Sequence, residues 1–189
     1  MSDLSLREMA ITGLWSVRST ANQDLNSFSK VLFSQEINFG EMITVDDLRL
    51  IRVWPQAAYL LSGEDFLPGS VSGFETMVTD IAHGFCQLSI AGDEAVAFLN
   101  DYSYADINQK KIMSGPTIRT ALGHYQTLMW WDDPTDIRIL VDRSYAQSFG
   151  DYLHHLLQRW CGDDFRQGEP TPMLNSGHQQ PKTNDNQSK

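Results

Sequence analysis

The sequence predicts an α+β domain made of two related strand–helix–strand halves, with a mostly antiparallel sheet and helices on one side. Segments with alternating apolar residues, typical of strands, follow one another at short spacing. Three stretches with apolar residues at helical spacing interrupt them, near residues 25–34, 95–102 and 144–160. The 189 residues are enough for one domain with a sizeable core.

The predicted organisation is a flexible lead-in over 1–10, a single domain over 11–165 and a disordered polar tail over 166–189. Within the domain, Ile11–Val17 is a plausible first strand, although its alternation is poor. A helix follows, which Asn22 can cap. Its apolar stripe comprises Leu25, Phe28, Val31 and Leu32.

Two short apolar runs, Leu48–Val53 and Ala57–Leu61, flank a Trp-Pro-Gln sequence. Because proline has no backbone N–H, Pro55 belongs at a turn, a bulge or an edge. A hairpin and a bulged single strand both fit, and the hairpin is slightly favoured. The residues of Gly63–Thr76, rich in Gly, Ser and acidic side chains, predict a surface connection.

The rest of the chain is organised around Val78–Ile107, which predicts a polar turn, a strand, a tight turn and a helix. In the strand Phe85–Ile90, alternate residues from Cys86 onward are apolar and share one face. Gly92-Asp93 ends the strand. The apolar face of the helix comprises Ala95, Phe98, Leu99 and Tyr102. This segment builds a fold rather than an active site.

The second half continues with two facing strands, Leu122–Trp131 and Ile137–Val141. Apolar residues on both sides of the first strand indicate a central position or a covered outer surface. The clearest helix begins at Ser144, which with Gln147 has the spacing of a capping box. Gly162 is a natural helix stop.

Composition excludes several partners. The formal net charge is −10, from 24 acidic and 14 basic residues, and such a charge repels nucleic acid and acidic membrane surfaces. No stretch approaches the roughly 20 apolar residues of a spanning helix. Since the sequence shows no secretory signal and has two cysteines, free thiols and a cytoplasmic location are expected.

No catalytic, cofactor-binding or metal-binding residue is predicted. His83 and Cys86 are the nearest to a ligand pair, but a structural zinc site needs about four ligands, so a turn histidine and a core thiol are favoured. His124 has no Ser or Cys nucleophile in its sequence context. The adjacent His154 and His155 point about 100° apart on a helix.

Two loops also lack a known motif. Gly69–Gly73 has no Gly-Lys-Ser/Thr ending, so it does not predict a phosphate loop. Asp132, Asp133 and Asp136 are too few for a calcium loop, and a solvated hairpin turn is favoured.

Aromatic residues give the strongest indication of a partner surface, because Tyr and Trp are enriched in interface cores. Five of them exceed what one face of a small core easily hides: Tyr102, Tyr104, Tyr125, Trp130 and Trp131. Trp130 and Trp131 are adjacent on a strand, so they point to opposite faces. The face of Trp131 is the more apolar. We therefore assign Trp131 to the core and Trp130 to an interface, and we also assign Tyr104 to the interface. The alternative is that helices cover all five aromatic residues.

The central segment also carries a family resemblance. Its pattern comprises Val78-Thr79-Asp80, His83-Gly84, Ile90-Ala91-Gly92, Ala95–Leu99 and Asp106-Ile107. With this pattern the chain resembles the gamma subunit of heterotetrameric sarcosine oxidases, from about Ile11 to Trp160. That subunit is similar in fold to part of the folate-binding glycine-cleavage T-protein.

The resemblance implies a non-catalytic structural subunit, a scaffold in a four-subunit oxidoreductase complex with alpha, beta and delta partners. Such a complex oxidatively demethylates sarcosine or a related N-methyl amine in one-carbon metabolism. The flavins, NAD, folate and zinc would belong to the partner subunits, and no activity is expected of this chain alone. The alternatives are a folate-binding one-carbon-transfer module and a small ligand-binding regulatory domain.

Overall fold

The computed structural model describes residues 3–19, 25–63, 76–108 and 116–162. Ten strands and three helices lie in these ranges. In chain order they are β1 (Ser5–Met9), β2 (Gly13–Ser19), α1 (Leu25–Phe33), β3 (Met42–Val45), β4 (Leu48–Trp54), β5 (Ala57–Ser62), β6 (Thr76–Asp80), β7 (Phe85–Ala91), α2 (Ala95–Tyr102), β8 (Thr117–Leu122), β9 (Tyr125–Asp133), β10 (Asp136–Asp142) and α3 (Ala146–Cys161).

The strands form two antiparallel five-stranded sheets. Sheet A has the order β1-β7-β10-β9-β8, and sheet B has the order β3-β4-β5-β2-β6. Each half of the fold contributes strands and at least one helix, so the predicted α+β class is confirmed. The structure has two sheets, whereas the sequence predicted one.

Three apolar clusters hold these layers together. Residues of α2 and α3 pack on one face of sheet A, where Phe98 and Leu153 meet Met129. Residues of α1 pack on one face of sheet B, where Phe28 meets Leu60. The remaining faces of the two sheets pack against each other. Sheet A therefore has α2 and α3 on one side, sheet B has α1 on one side, and the opposite faces of the two sheets pack together.

The first half agrees with several expectations from the sequence. The apolar runs on either side of Pro55 form the β4–β5 hairpin, and a bulge interrupts their register between Arg52 and Trp54. In α1 the side chains of Leu25 and Phe28 are buried as expected, but Val31 is exposed. The predicted cap Asn22, the segment 69–73 and the tail 166–189 lie outside the described residues.

Four strands did not follow from the sequence. One is β3, which pairs with β4. The strand β1 lies within the lead-in expected to be flexible, and it pairs with β7. The strand β6 occupies the first residues of the expected polar turn and pairs with β2. The strand β8 was not expected; it precedes the predicted strand Leu122–Trp131, which corresponds to β9 but begins three residues later, because Gly123-His124 forms the turn between β8 and β9. In β1, β6 and β8 half or more of the residues are polar, and β3 is only four residues long, so apolar alternation is weak in them.

Gly123 is required at that turn for two reasons. Its φ is +57°, and an added Cβ would lie 2.6 Å from Tyr152 Oη and 2.8 Å from Tyr152 Cζ. We expect Gly123→Ala to lower the free energy of unfolding by about 1–3 kcal/mol, measured by urea denaturation. Gly40→Ala is the matched control, since Gly40 has a φ of +76° but open space around it. Equal losses in the two variants would show that contact with Tyr152 is unimportant.

The start of α3 differs from the predicted capping box of Ser144 and Gln147. A short 3-10 turn, Arg143–Tyr145, precedes α3, and Asp142 caps this turn: its Oδ1 accepts hydrogen bonds from Ser144 N at 2.9 Å and from Ser144 Oγ at 2.6 Å. Gln147 instead donates to Asp151. The prediction is wrong because a carboxylate two residues earlier satisfies the free N–H of Ser144. The helix ends at Gly162, as predicted, with a φ of +66°.

This cap gives a pH-dependent prediction. Hydrogen bonds from the side chain and backbone of Ser144 lower the pKa of Asp142 below its ordinary value. Asp142→Ala should lower the free energy of unfolding by about 1 kcal/mol at neutral pH. Because the pKa of Asp142 is lower in the folded state than in the unfolded state, its contribution to stability is fully present above the unfolded pKa. This contribution is lost as the pH falls through the folded pKa.

The two proteins should therefore approach equal stability in acid, as measured by denaturation at neutral pH and at about pH 2. Asp142→Asn is the control, because it keeps an acceptor oxygen and removes the titration. A stability difference between Asp142→Ala and the parent that is as large in acid as at neutral pH would contradict the assignment.

Candidate functional site

The two adjacent tryptophans of β9 point to opposite faces of sheet A, as the sequence predicted. Trp131 is 1% exposed and packs in the cluster formed with α2 and α3, so its assignment to the core is confirmed. Trp130 is 3% exposed and packs between the two sheets. The prediction that Trp130 is exposed, on which its assignment to an interface depended, is therefore wrong. The sequence did not reveal that sheet B covers this face.

Tyr104 is 80% exposed, as an interface residue would need to be. It belongs to a group of tyrosines near the ends of α2 and α3, which we call the aromatic face: Tyr102, Tyr104, Tyr125, Tyr145 and Tyr152. The ring of Tyr125 lies 6.1 Å from that of Tyr145 and 5.6 Å from that of Tyr152, between centroids. A partner for this face stays a prediction.

Burial and neighbouring phenols change the acidity of this group. The pKa of Tyr152 is raised above its ordinary value, mainly by partial burial. The negative charges that Tyr102, Tyr104 and Tyr125 carry when deprotonated raise it further. The hydroxyl of Tyr152 therefore stays protonated at neutral pH and can donate a hydrogen bond.

The expected core thiol is confirmed at Cys86. Its Sγ lies 3.6 Å from Glu8 Oε1, and burial together with the charge of Glu8 raises the pKa of the Cys86 thiol to about 11. The thiol is thus protonated and weakly nucleophilic at neutral pH. His83 lies exposed in the turn before β7. In the described ranges no group of three or more His, Cys, Asp or Glu side chains is placed to hold a metal ion.

The acidic turn between β9 and β10 consists of three carboxylates with separate roles. Asp132 pairs with Arg49 of sheet B, Asp133 accepts from Thr135, and Asp136 pairs with Arg138. Hydrogen bonds from the backbone and side chain of Thr135 lower the pKa of Asp133. These contacts are those of a hairpin turn joined to the second sheet.

A cavity of about 300 Å³ lies between the sheets beside this turn. The ion pair of Arg49 and Asp132 crosses from one sheet to the other at its lining, with Nη2 and Nε of Arg49 2.7 and 3.2 Å from the same Oδ2. Arg138 of β10 and Trp130 of β9 also line it. The sequence does not reveal this cavity, because its lining residues come from distant parts of the chain and form no local motif.

None of the helices in the described residues is both long and apolar enough to cross a membrane.

Comparison with known proteins gives a fold but no sequence family. No family model matches the chain, and no curated protein matches it. One similar structure is a chain of the heterotetrameric sarcosine oxidase from Corynebacterium sp. U-96 in complex with pyrrole 2-carboxylate. It is 18% identical with a TM-score of 0.71, and the match covers 86% of this chain and 88% of that chain.

A second similar structure is the glycine cleavage system aminomethyltransferase T from Bartonella henselae. It is 14% identical with a TM-score of 0.57, and the match covers 86% of this chain but only 46% of that one. The fold implied by the resemblance is confirmed: this chain has the fold of a chain of heterotetrameric sarcosine oxidase, over most of the length of both.

Proposed function

We propose that this chain is a non-catalytic structural subunit of a heterotetrameric sarcosine oxidase-like complex. The observation that carries the proposal is the extent of the structural match. It covers 88% of a sarcosine oxidase chain, whereas it covers less than half of the aminomethyltransferase. The match therefore spans most of a chain of the first protein and less than half of a chain of the second.

The aromatic face supports a role in assembly. Tyr104 and Tyr145 are 80% and 55% exposed, and Tyr125 is in ring contact with Tyr145. Exposed aromatic residues that lie together are typical of protein–protein interfaces. In the proposed complex this face contacts a partner subunit.

The proposed partners are subunits of the alpha, beta and delta type. They would carry the flavins, NAD, folate and zinc, and this chain would carry none of them. The complex would oxidatively demethylate sarcosine or a related N-methyl amine in the cytoplasm. The assembled enzyme, rather than this chain, would perform the chemistry.

The isolated chain tests the non-catalytic part of the proposal. Purified alone from a host that lacks the complex, it should show no flavin absorbance and no sarcosine-dependent oxidation. The positive control is the complete complex from the source organism, measured in the same assay. A stoichiometric flavin on the isolated chain would contradict the proposal.

A second candidate is a folate-binding one-carbon-transfer module, which the similarity to an aminomethyltransferase favours. Calorimetric titration of the isolated chain with tetrahydrofolate separates the two candidates. The structural-subunit proposal predicts no saturable heat. Tight, stoichiometric binding would favour the second candidate.

A further inference from the structure

We propose that the cavity between the sheets is a binding site for a small organic monocarboxylate. The cavity volume of about 300 Å³ is at the lower end of the range for small-molecule sites. The proposal concerns a ligand of this chain itself and is independent of the subunit role.

One side of the cavity is built on the regular backbone of sheet A. Arg138 of β10 and Trp130 of β9 are register partners, so their side chains share the face that looks toward sheet B. Gln87 of β7 is the partner of Leu140, which is on that same face. Adjacent strands thus place a guanidinium, an indole and an amide side by side on a rigid support.

These three side chains have hydrogen-bond donors to spare. A guanidinium has five N–H groups, and Arg138 makes one hydrogen bond in the described chain, from Nη2 to Asp136 at 2.7 Å. Within the same residues the indole N–H of Trp130 and the side-chain amide of Gln87 make none. Trp130 is nevertheless 3% exposed and lines the cavity.

Several acceptors around the cavity are already occupied. Asp132 Oδ2 accepts two N–H groups of Arg49. Ser62 Oγ accepts from Trp15 Nε1 at 3.2 Å, and the Ser62 carbonyl accepts from Thr12 Oγ1 at 2.7 Å. Against sheet A the free groups are therefore mainly N–H donors, whereas the free carboxylate oxygens belong to the exposed residues Asp47 and Asp132, and this favours a ligand whose acceptor oxygens face sheet A.

The charged and apolar residues that line the cavity narrow the class of ligand further. A carboxylate presents two oxygens that match the guanidinium fork. Asp47 and Asp132 also line the cavity and repel any anion, so they disfavour a doubly charged one such as phosphate about twice as strongly as a monocarboxylate. Ile11 and Leu61 supply apolar contacts for a short carbon chain. A monocarboxylate with a small apolar group satisfies all three conditions.

The experiment uses the full chain labelled with ¹⁵N and titrated with butyrate. The NMR signal of the Trp130 indole N–H, assigned by its loss in Trp130→Phe, reports on the cavity. We expect butyrate to shift this signal saturably, while butyramide and inorganic phosphate do not. The absence of a saturable butyrate shift, or equal shifts with butyramide or phosphate, would overturn the proposal.

Variants test whether the donors named above make the contact. Arg138→Gln should weaken butyrate binding roughly tenfold or more, because it removes a charge-assisted hydrogen bond. Arg159→Gln is the matched control, since Arg159 is an exposed residue of α3 away from the cavity.

If Arg138→Gln does not fold by circular dichroism, Gln87→Leu replaces it, with a several-fold loss expected from the missing amide donor. Unchanged affinity in the folded variant would overturn the assignment of the site.

Discussion

Trp131→Ala is expected to lower the free energy of unfolding of the isolated chain by about 3–5 kcal/mol, as measured by chemical denaturation. The ring of Trp131 is 1% exposed in the cluster between sheet A and its helices, where Met129 and Phe149 are also buried. Alanine would leave a large cavity there. The indole N–H has no hydrogen-bond partner in the described chain, so the loss would come from packing.

Two controls separate this effect from a general effect of losing a tryptophan. Trp131→Phe should cost much less than Trp131→Ala, because it keeps an aromatic ring and removes a buried donor without a partner. Trp54→Ala should cost about 1 kcal/mol or less, because Trp54 is half exposed and loses a cation–π contact with Arg119, whose Cζ lies 4.3 Å from its ring centroid. Equal losses at Trp131 and Trp54 would contradict the burial of Trp131.

Trp130→Ala is expected to destabilise the isolated chain by a similar amount, about 3–5 kcal/mol. Its ring packs between the two sheets, in a cluster with Leu128, Leu140 and residues of sheet B. The sequence alone predicted the opposite result, an intact isolated fold with weakened assembly. Denaturation of the lone chain distinguishes these predictions, with Trp54→Ala again as the control. Unchanged stability of Trp130→Ala would mean that the sheets do not pack through this ring.

The contrast between the tryptophans shows what the sequence could predict about the fold. Alternation along β9 correctly placed Trp130 and Trp131 on opposite faces, because strand geometry is local. The burial of Trp130 depends on sheet B, which is formed largely by residues far away in the chain. Apolar residues on both faces of β9 did indicate a covered surface, but not which element covers it.

The missed strands have a related explanation. In β1 the residues are mostly charged or half buried, and the strand is stabilised by pairing with β7 rather than by an apolar face. Backbone pairing satisfies N–H and C=O groups whatever the side chains are, so it leaves little trace in hydrophobic periodicity.

The candidate site was predictable only in part. Tyr104 is exposed, as an interface residue should be. The ion pair of Arg49 with Asp132 joins residues 83 positions apart, and neither residue has a neighbour in sequence that signals a cavity. Contacts between sheets are not readable from local spacing.

The central claim, that this chain is a subunit of a larger oxidase, is tested most directly by purifying the full-length tagged chain from its source organism. The account predicts that flavin-containing chains co-purify with it in a fixed ratio, and that the preparation oxidises sarcosine or a related N-methyl amine. A chain recovered at its own mass, with no flavin-containing partner and no such activity in the bound fraction, would contradict it.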